Sequence, residues 1–124
     1  MRETRYVRLF AGSDGESRFD DVVVGFTLND VAPQVTPFEI SESYPAERFV
    51  VERFPPGWRS EHNAPRRQFL VILAGSAAIR TSAGETRHFQ PGDVLLAEDT
   101  TGKGHTSWND GDDTCLAAVI RLRE

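Results

Sequence analysis

Residues 57–105 read GWRSEHNAPRRQFLVILAGSAAIRTSAGETRHFQPGDVLLAEDTTGKGH, and this stretch decides the fold. Short apolar runs alternate in it with turn residues, such as SAG at 82–84 and PGD at 91–93. Runs of this length, separated by Gly, Pro, Asn and Asp, are typical of β-sandwiches and barrels. The run QFLVIL at 68–73 is apolar on both faces, so we expect a second sheet or a second subunit to cover it.

The same alternation of strands and turns extends over the rest of the chain. We predict strands over residues 6–10, 22–28, 34–40, 48–54, 68–73, 77–81, 86–89, 94–97, 105–108 and 115–122. The sequence NDG at 109–111 is a strong hairpin signal between the last two strands. Helical periodicity is weak throughout. The sequence therefore predicts an all-β, double-stranded β-helix (jelly-roll) barrel with little helix, as one domain over residues 1–124.

Composition limits the class of protein. The chain has 124 residues, a net charge of −5 and one cysteine, Cys115. This length suits one domain, and the acidic balance argues against a general nucleic-acid binder. The apolar runs fall short of the roughly 20 residues that cross a bilayer, and no secretory signal follows Met1. Because a single cysteine also fits a reducing compartment, we expect a cytoplasmic protein without nucleic-acid or membrane partners.

The landmarks within residues 57–105 resemble the two-part signature of the cupin superfamily. The first cupin motif is a glycine, then His-x-His, then Glu, then a glycine; the second is a glycine, then Pro-Gly-Asp, then a histidine. The matching landmarks are Gly57, His62 and Gly75 for the first motif, and Gly84, residues 91–93 and His105 for the second. The resemblance implies a small single-domain cupin with its core motifs over residues 57–108, similar to uncharacterised cupin-domain proteins. It also implies a homodimer, since cupins often pair their barrels.

The departures from the signature concern the metal site. The resemblance implies a site built from two histidines and a glutamate of the first motif and one histidine of the second. His62 and His105 match, but Ala64 stands at the second histidine position and Gln68 at the glutamate position. An uncharged amide lacks the Coulombic attraction of a carboxylate for a divalent cation. The sequence therefore predicts a degenerate metal site, with either no cofactor or one divalent metal ion on His62, Gln68 and His105.

Several side chains around these positions are candidates for chemistry. His62 and His105 are the predicted catalytic residues, because imidazole serves as acid or base near neutral pH. Gln68 should point into the barrel by strand alternation, either as a substrate contact or as a buried amide in a hydrogen-bond network. Of Arg66 and Arg67, at most one is expected to enter the pocket and bind a carboxylate or phosphate. The alternative is a solvated edge with salt bridges.

Four further residues are interpreted individually. Asp99, in the polar loop before His105, is expected to hydrogen-bond an imidazole and orient it. Trp108 is a candidate substrate contact, with packing in the core as the alternative. His88 is expected at the surface, and Cys115 as an inert buried thiol.

Three functions are compatible with this pattern, and the sequence does not decide whether the protein is an enzyme. The favoured hypothesis is a cupin that binds a small polar or anionic metabolite and acts as a metal-independent isomerase, epimerase or lyase through histidine acid–base chemistry. The second is a divalent-metal-dependent dioxygenase or other metal-assisted enzyme that uses His62, Gln68 and His105. The third is a non-enzymatic module that binds a small ligand.

Overall fold

A computed structural model describes residues 3–29 and 32–124 of the chain. Within these ranges there are twelve β-strands and no helix, as the all-β prediction requires. The strands are β1 (Arg5–Ala11), β2 (Ser17–Val23), β3 (Thr27–Asn29), β4 (Phe38–Ile40), β5 (Ala46–Phe54), β6 (Arg59–His62), β7 (Gln68–Ala74), β8 (Ala77–Thr81), β9 (Thr86–Phe89), β10 (Val94–Ala97), β11 (His105–Trp108) and β12 (Cys115–Leu122). The described residues accordingly form no helix of the length and apolarity needed to cross a membrane.

The strands form two larger sheets and a small hairpin. The six-stranded sheet has the order β2-β1-β10-β7-β12-β5, the four-stranded sheet β6-β11-β8-β9, and β3 pairs with β4. β1 and β10 are parallel, which joins distant parts of the chain, while the other pairs are antiparallel. The core cluster draws on both larger sheets and includes Leu9, Ile72, Leu95 and Val119 from the first, and Ile79 and Phe89 from the second. This is the predicted double-sheet, jelly-roll arrangement.

The doubly apolar strand β7 is covered on both faces only along its first half. Phe69, on the face away from the core, packs edge-on against the rings of Tyr6 and Tyr44, with ring centroids 5.4 and 5.0 Å away. Leu73 is 48% exposed, and Phe49 of the edge strand β5 is 65% exposed. The described part of the chain therefore does not bury Leu73, so of the two expected covers the second sheet does not reach this residue. The predicted homodimer stays a prediction.

The strand prediction needs correction at three places in the chain. β6 was not predicted, because its sequence RSEH has no apolar alternation and it exists through pairing with β11. The strand predicted over 22–28 is not continuous: β2 spans Ser17–Val23, since all seven of its residues pair with β1, and β3 begins at Thr27. The strand predicted over 34–40 is confined to Phe38–Ile40. In each case pairing with a neighbouring strand, rather than local sequence, sets the bounds.

Candidate functional site

A cavity of about 420 Å³ lies against the core faces of the two larger sheets. Most of its lining is apolar. The aromatic lining residues are Phe54, Trp58, Phe89 and Trp108, and the polar side chains with chemistry to offer are Glu52, His62, Gln68 and His105. A concave, mostly apolar pocket with a few converging polar groups is the usual form of a small-molecule site.

The register between β6 and β11 places the two predicted catalytic histidines side by side. His62 and His105 are direct partners in this antiparallel pair. Directly opposed residues point to the same face of a sheet, so both imidazoles reach the cavity. Their ring centroids are 4.8 Å apart and the rings are inclined by 62°. One small molecule in the cavity is therefore able to contact both rings.

A buried carboxylate orients His105. Asp99 is 0% exposed, and its Oδ2 lies 2.5 Å from Nδ1 of His105. An ionised carboxylate only accepts hydrogen bonds, so Nδ1–H of His105 is the donor and Nε2 carries the lone pair on the cavity side. The other carboxylate oxygen accepts the backbone N–H of Ala64 at 3.3 Å. Asp99 thus positions the imidazole, the role expected from its place before His105, and it does not line the cavity as a substrate contact would.

Asn63, which the sequence analysis did not single out, stabilises the loop that carries Asp99. Its Nδ2 lies 3.0–3.1 Å from the backbone carbonyl oxygens of Asp99, Thr101 and Gly102. Buried Ser17 adds a hydrogen bond from its Oγ to the carbonyl of Gly104 at 2.6 Å. Because backbone carbonyls leave no sequence pattern, neither contact was predictable. Together they hold the loop against β6 and β2.

His62 lines the cavity and is an exposed residue, so it lies at the mouth of the cavity. Its Nδ1 is 2.9 Å from Oγ of Ser60, and the Trp58 ring lies 6.5 Å away, centroid to centroid. Desolvation lowers the pKa of His62 below its usual value, the positive charge that His105 carries when it is protonated lowers it further, and the Asp99 carboxylate opposes both. His62 is therefore neutral at neutral pH.

This lowered pKa gives the free energy of unfolding a specific pH dependence. Between the folded pKa of His62 and the unfolded value of about 6.5, the unfolded chain binds more protons. Stability should therefore be lost as pH falls through this window and should be unaffected above it. We expect His62→Gln to abolish the fall in the free energy of unfolding that His62 causes. Urea unfolding at neutral pH and below about pH 6 measures it. His88→Gln removes an exposed imidazole that lies 2.7 Å from Asp110, outside the cavity, and should leave the contribution of His62 in place. Equal pH dependence in wild type and His62→Gln would contradict the assignment.

The other predicted ligand contacts divide into two groups. Gln68 lines the cavity and is 7% exposed, and its buried Oε1 has no hydrogen-bond partner among the described residues, so no protein network satisfies that atom. Arg66 and Arg67 are not part of the lining. Their guanidinium groups lie 2.7 Å from carboxylate oxygens of Glu47 and Glu98, respectively. The structure therefore does not bring either arginine to the pocket. Both form salt bridges instead, as in the alternative interpretation of the sequence.

Two aromatic residues and one carboxylate complete the lining of the cavity. Trp108 lines the cavity, and the guanidinium carbon of Arg59 lies 4.9 Å from its ring centroid. Trp58 packs against Phe54, with ring centroids 4.5 Å apart. Glu52, two residues before Phe54 on β5, faces the cavity and was not singled out from the sequence. Alternation along VVERF was the signal that could have found it.

The donor atoms around the histidines do not fit a divalent cation. No group of three or more His, Cys, Asp or Glu side chains suited to a metal ion occurs among residues 3–29 and 32–124. Ala64 brings only a buried methyl group to the position of the family's second histidine. The remaining set is two imidazoles and the amide of Gln68, all neutral. Such a set lacks the charge that holds hard divalent ions and the fourth strong ligand that transition metals prefer.

Comparison with known proteins places the fold. No family model and no curated protein matches the sequence. Among solved structures, a cupin-like protein from Thermotoga maritima MSB8 is 18% identical over 90% of this chain and 75% of its own, with a TM-score of 0.52. A Cupin 2 conserved barrel domain protein from Salinispora arenicola CNS-205 is 20% identical over 81% and 76%, with a TM-score of 0.51.

A third solved structure is similar over a smaller part of the chain. A sugar phosphate isomerase of the cupin superfamily from Silicibacter pomeroyi DSS-3 is 23% identical, with a TM-score of 0.50. The match covers 63% of this chain and 52% of that protein, so the chain spans about half of its length. At these identities the likeness establishes the fold. The protein described here has the double-stranded β-helix fold of the cupins, as the resemblance of residues 57–105 implied.

Proposed function

We propose that this cupin-fold protein binds a small metabolite in the cavity and catalyses proton transfer on it without a metal ion. Isomerisation, epimerisation and elimination are reactions of this type. One observation carries the proposal: the buried Asp99–His105 pair opens onto an apolar cavity beside a second imidazole, that of His62. A base of fixed tautomer in a water-poor pocket is the arrangement that proton abstraction from carbon requires.

The two imidazoles have different roles in this proposal. His105 takes the proton on Nε2, and the Asp99 carboxylate stabilises the imidazolium that forms. His62, whose pKa is lowered, stays neutral and donates a hydrogen bond to the substrate atom on which negative charge develops. Gln68 binds a polar group of the substrate and fixes its orientation. General base catalysis of this kind contributes about 100- to 10,000-fold in rate.

The comparison with the S. pomeroyi protein supports the reaction class only as an analogy of fold. Cupin folds carry many activities, so a shared architecture does not transfer a substrate. The described lining of the present cavity contains neither lysine nor arginine. Phosphate recognition usually depends on such cations. The metabolite is therefore proposed to be polar rather than a sugar phosphate or another anion.

The metal-independent part of the proposal predicts the metal content. Protein purified without a histidine tag should contain well below one iron, manganese, nickel or zinc ion per chain after incubation with metal and dialysis. The physical reason is the neutral, three-donor set around His62. Elemental analysis checks this, and activity should persist in EDTA. One metal ion per wild-type chain that is absent from His62→Gln would contradict the metal-free proposal and favour the metal-assisted alternative.

A generic probe tests the base before the natural substrate is known. 5-Nitrobenzisoxazole is neutral and planar; removal of its carbon-bound proton breaks the ring N–O bond and releases a coloured cyanophenolate. We expect the protein to accelerate this step well beyond free imidazole at equal concentration, and we expect His105→Gln to abolish the excess. His88→Gln should retain it. A rate no higher than that of imidazole, with ligand binding intact, would contradict the role of His105 as a general base and favour the ligand-binding module.

A further inference from the structure

Three of the polar side chains that line the cavity offer hydrogen-bond acceptors to a ligand. Oε1 of Gln68 is buried without a partner. The carboxylate of Glu52 faces the cavity and forms no ion pair within residues 3–29 and 32–124. His105, whose Nδ1 is paired with Asp99, adds the lone pair of Nε2. With no lysine or arginine in the described lining, these acceptors have to be matched by donors on the ligand.

The acceptor Glu52 stands next to aromatic surface. Glu52 and Phe54 lie two residues apart on β5 and therefore on the same face of the strand. The ring of Phe54 contacts that of Trp58, which extends the aromatic surface towards His62. A carboxylate beside aromatic faces is the environment that organic cations prefer, because the negative faces of the rings attract the positive charge.

The size of the cavity limits the body of the ligand. An apolar cavity of about 150 Å³ accommodates one benzene molecule. The present cavity, at about 420 Å³, has room for a body of about two rings or one ring with a short chain.

We infer that the cavity selects a small organic amine: a protonated amino group on an aromatic or alicyclic body, with a second N–H or O–H donor. This rests on the proposed function, since it names the substrate class of the same pocket. Glu52 pairs with the ammonium group, Phe54 and Trp58 contact the adjoining apolar carbons, and Gln68 accepts the second donor. Organic anions are rejected because the Glu52 charge repels them and no cation in the described lining compensates.

A matched set of three ligands tests this inference. Tyramine, 2-(4-hydroxyphenyl)ethanol and 3-(4-hydroxyphenyl)propionate share a phenol ring and differ in carrying a positive, zero or negative charge at neutral pH. Calorimetry and quenching of tryptophan fluorescence should give the tightest binding for tyramine, weaker binding for the alcohol and the weakest for the carboxylate. Glu52→Gln should weaken tyramine by about tenfold or more and leave the alcohol within about twofold.

Two further variants separate the cavity from general charge effects. Glu47→Gln removes the same charge from the same strand at a residue outside the lining, so it should leave all three affinities nearly unchanged. Gln68→Leu should weaken tyramine and the alcohol alike, because it removes the shared acceptor. Melting curves establish that each variant is folded.

Three results would overturn the inference: binding of the carboxylate as tight as that of tyramine, an effect of Glu52→Gln no larger than that of Glu47→Gln, or no binding of any of the three ligands. These results leave the proposed function to be judged separately. 5-Nitrobenzisoxazole is neutral, so its elimination depends on His105 and not on the charge at Glu52.

Discussion

Replacing Asp99 by asparagine should lower the rate of proton abstraction by about 100- to 10,000-fold while the protein stays folded. The asparagine amide can present N–H where Oδ2 now accepts Nδ1–H of His105. The imidazole would then move its proton to Nε2 and lose the lone pair that faces the cavity. Because Oδ1 still accepts the N–H of Ala64, the loop contact is retained.

The tautomer of His105 distinguishes this positioning role from a structural one. Nitrogen-15 NMR should find the His105 proton on Nδ1 in the wild type and on Nε2 in Asp99→Asn, in parallel with the loss of rate on 5-nitrobenzisoxazole. Asp112→Asn, at an exposed residue, is the matched control. A variant that keeps both the Nδ1 proton and the wild-type rate would show that Asp99 does not orient the base.

Gly104→Ala should destabilise the protein by about 2–5 kcal/mol. Gly104 has a φ of +74°, which costs an alanine about 1–2 kcal/mol by itself. A Cβ there would also lie 2.7 Å from the carbonyl oxygen of His62, a backbone atom that cannot rotate away. The clash falls where β6 pairs with β11, so His62 would be displaced from its place opposite His105.

Gly57→Ala separates the two contributions. Gly57 has a φ of +85°, but a Cβ there would meet no atom within 4 Å. Gly57→Ala should therefore lower the free energy of unfolding only by the cost of a positive φ for alanine, about 1–2 kcal/mol in urea unfolding. Equal losses in the two variants would mean that the approach of Gly104 to His62 is not close enough to matter. A larger loss in Gly104→Ala should be accompanied by shifted NMR signals from both imidazoles.

Much of the framework was predictable because its signals are local. The strands Ala77–Thr81, Thr86–Phe89 and Val94–Ala97 have the predicted bounds, since Gly and Pro turns limit them on both sides. Alternation along β7 also placed Gln68 on the cavity face. The spacing of His62, residues 91–93 and His105 indicated the cupin fold, which the solved structures bear out.

What the sequence left open depends on contacts between distant segments. β6 has no strand signal of its own, yet its pairing with β11 puts His62 opposite His105. Glu52 was not singled out from the sequence, and it reaches the cavity because β5 pairs with β12 at the edge of the sheet. Arg66 and Arg67 looked suited to an anion, but each lies within reach of a carboxylate outside the cavity.

The sequence by itself therefore determined most of the strands, the turns between them and the fold, because periodicity and backbone preference act over a few residues. Only the tertiary structure decided which polar side chains share the cavity, which of them lack a protein partner and what charge the cavity presents. Those properties depend on strand register and burial, and register joins residues that are far apart in the chain.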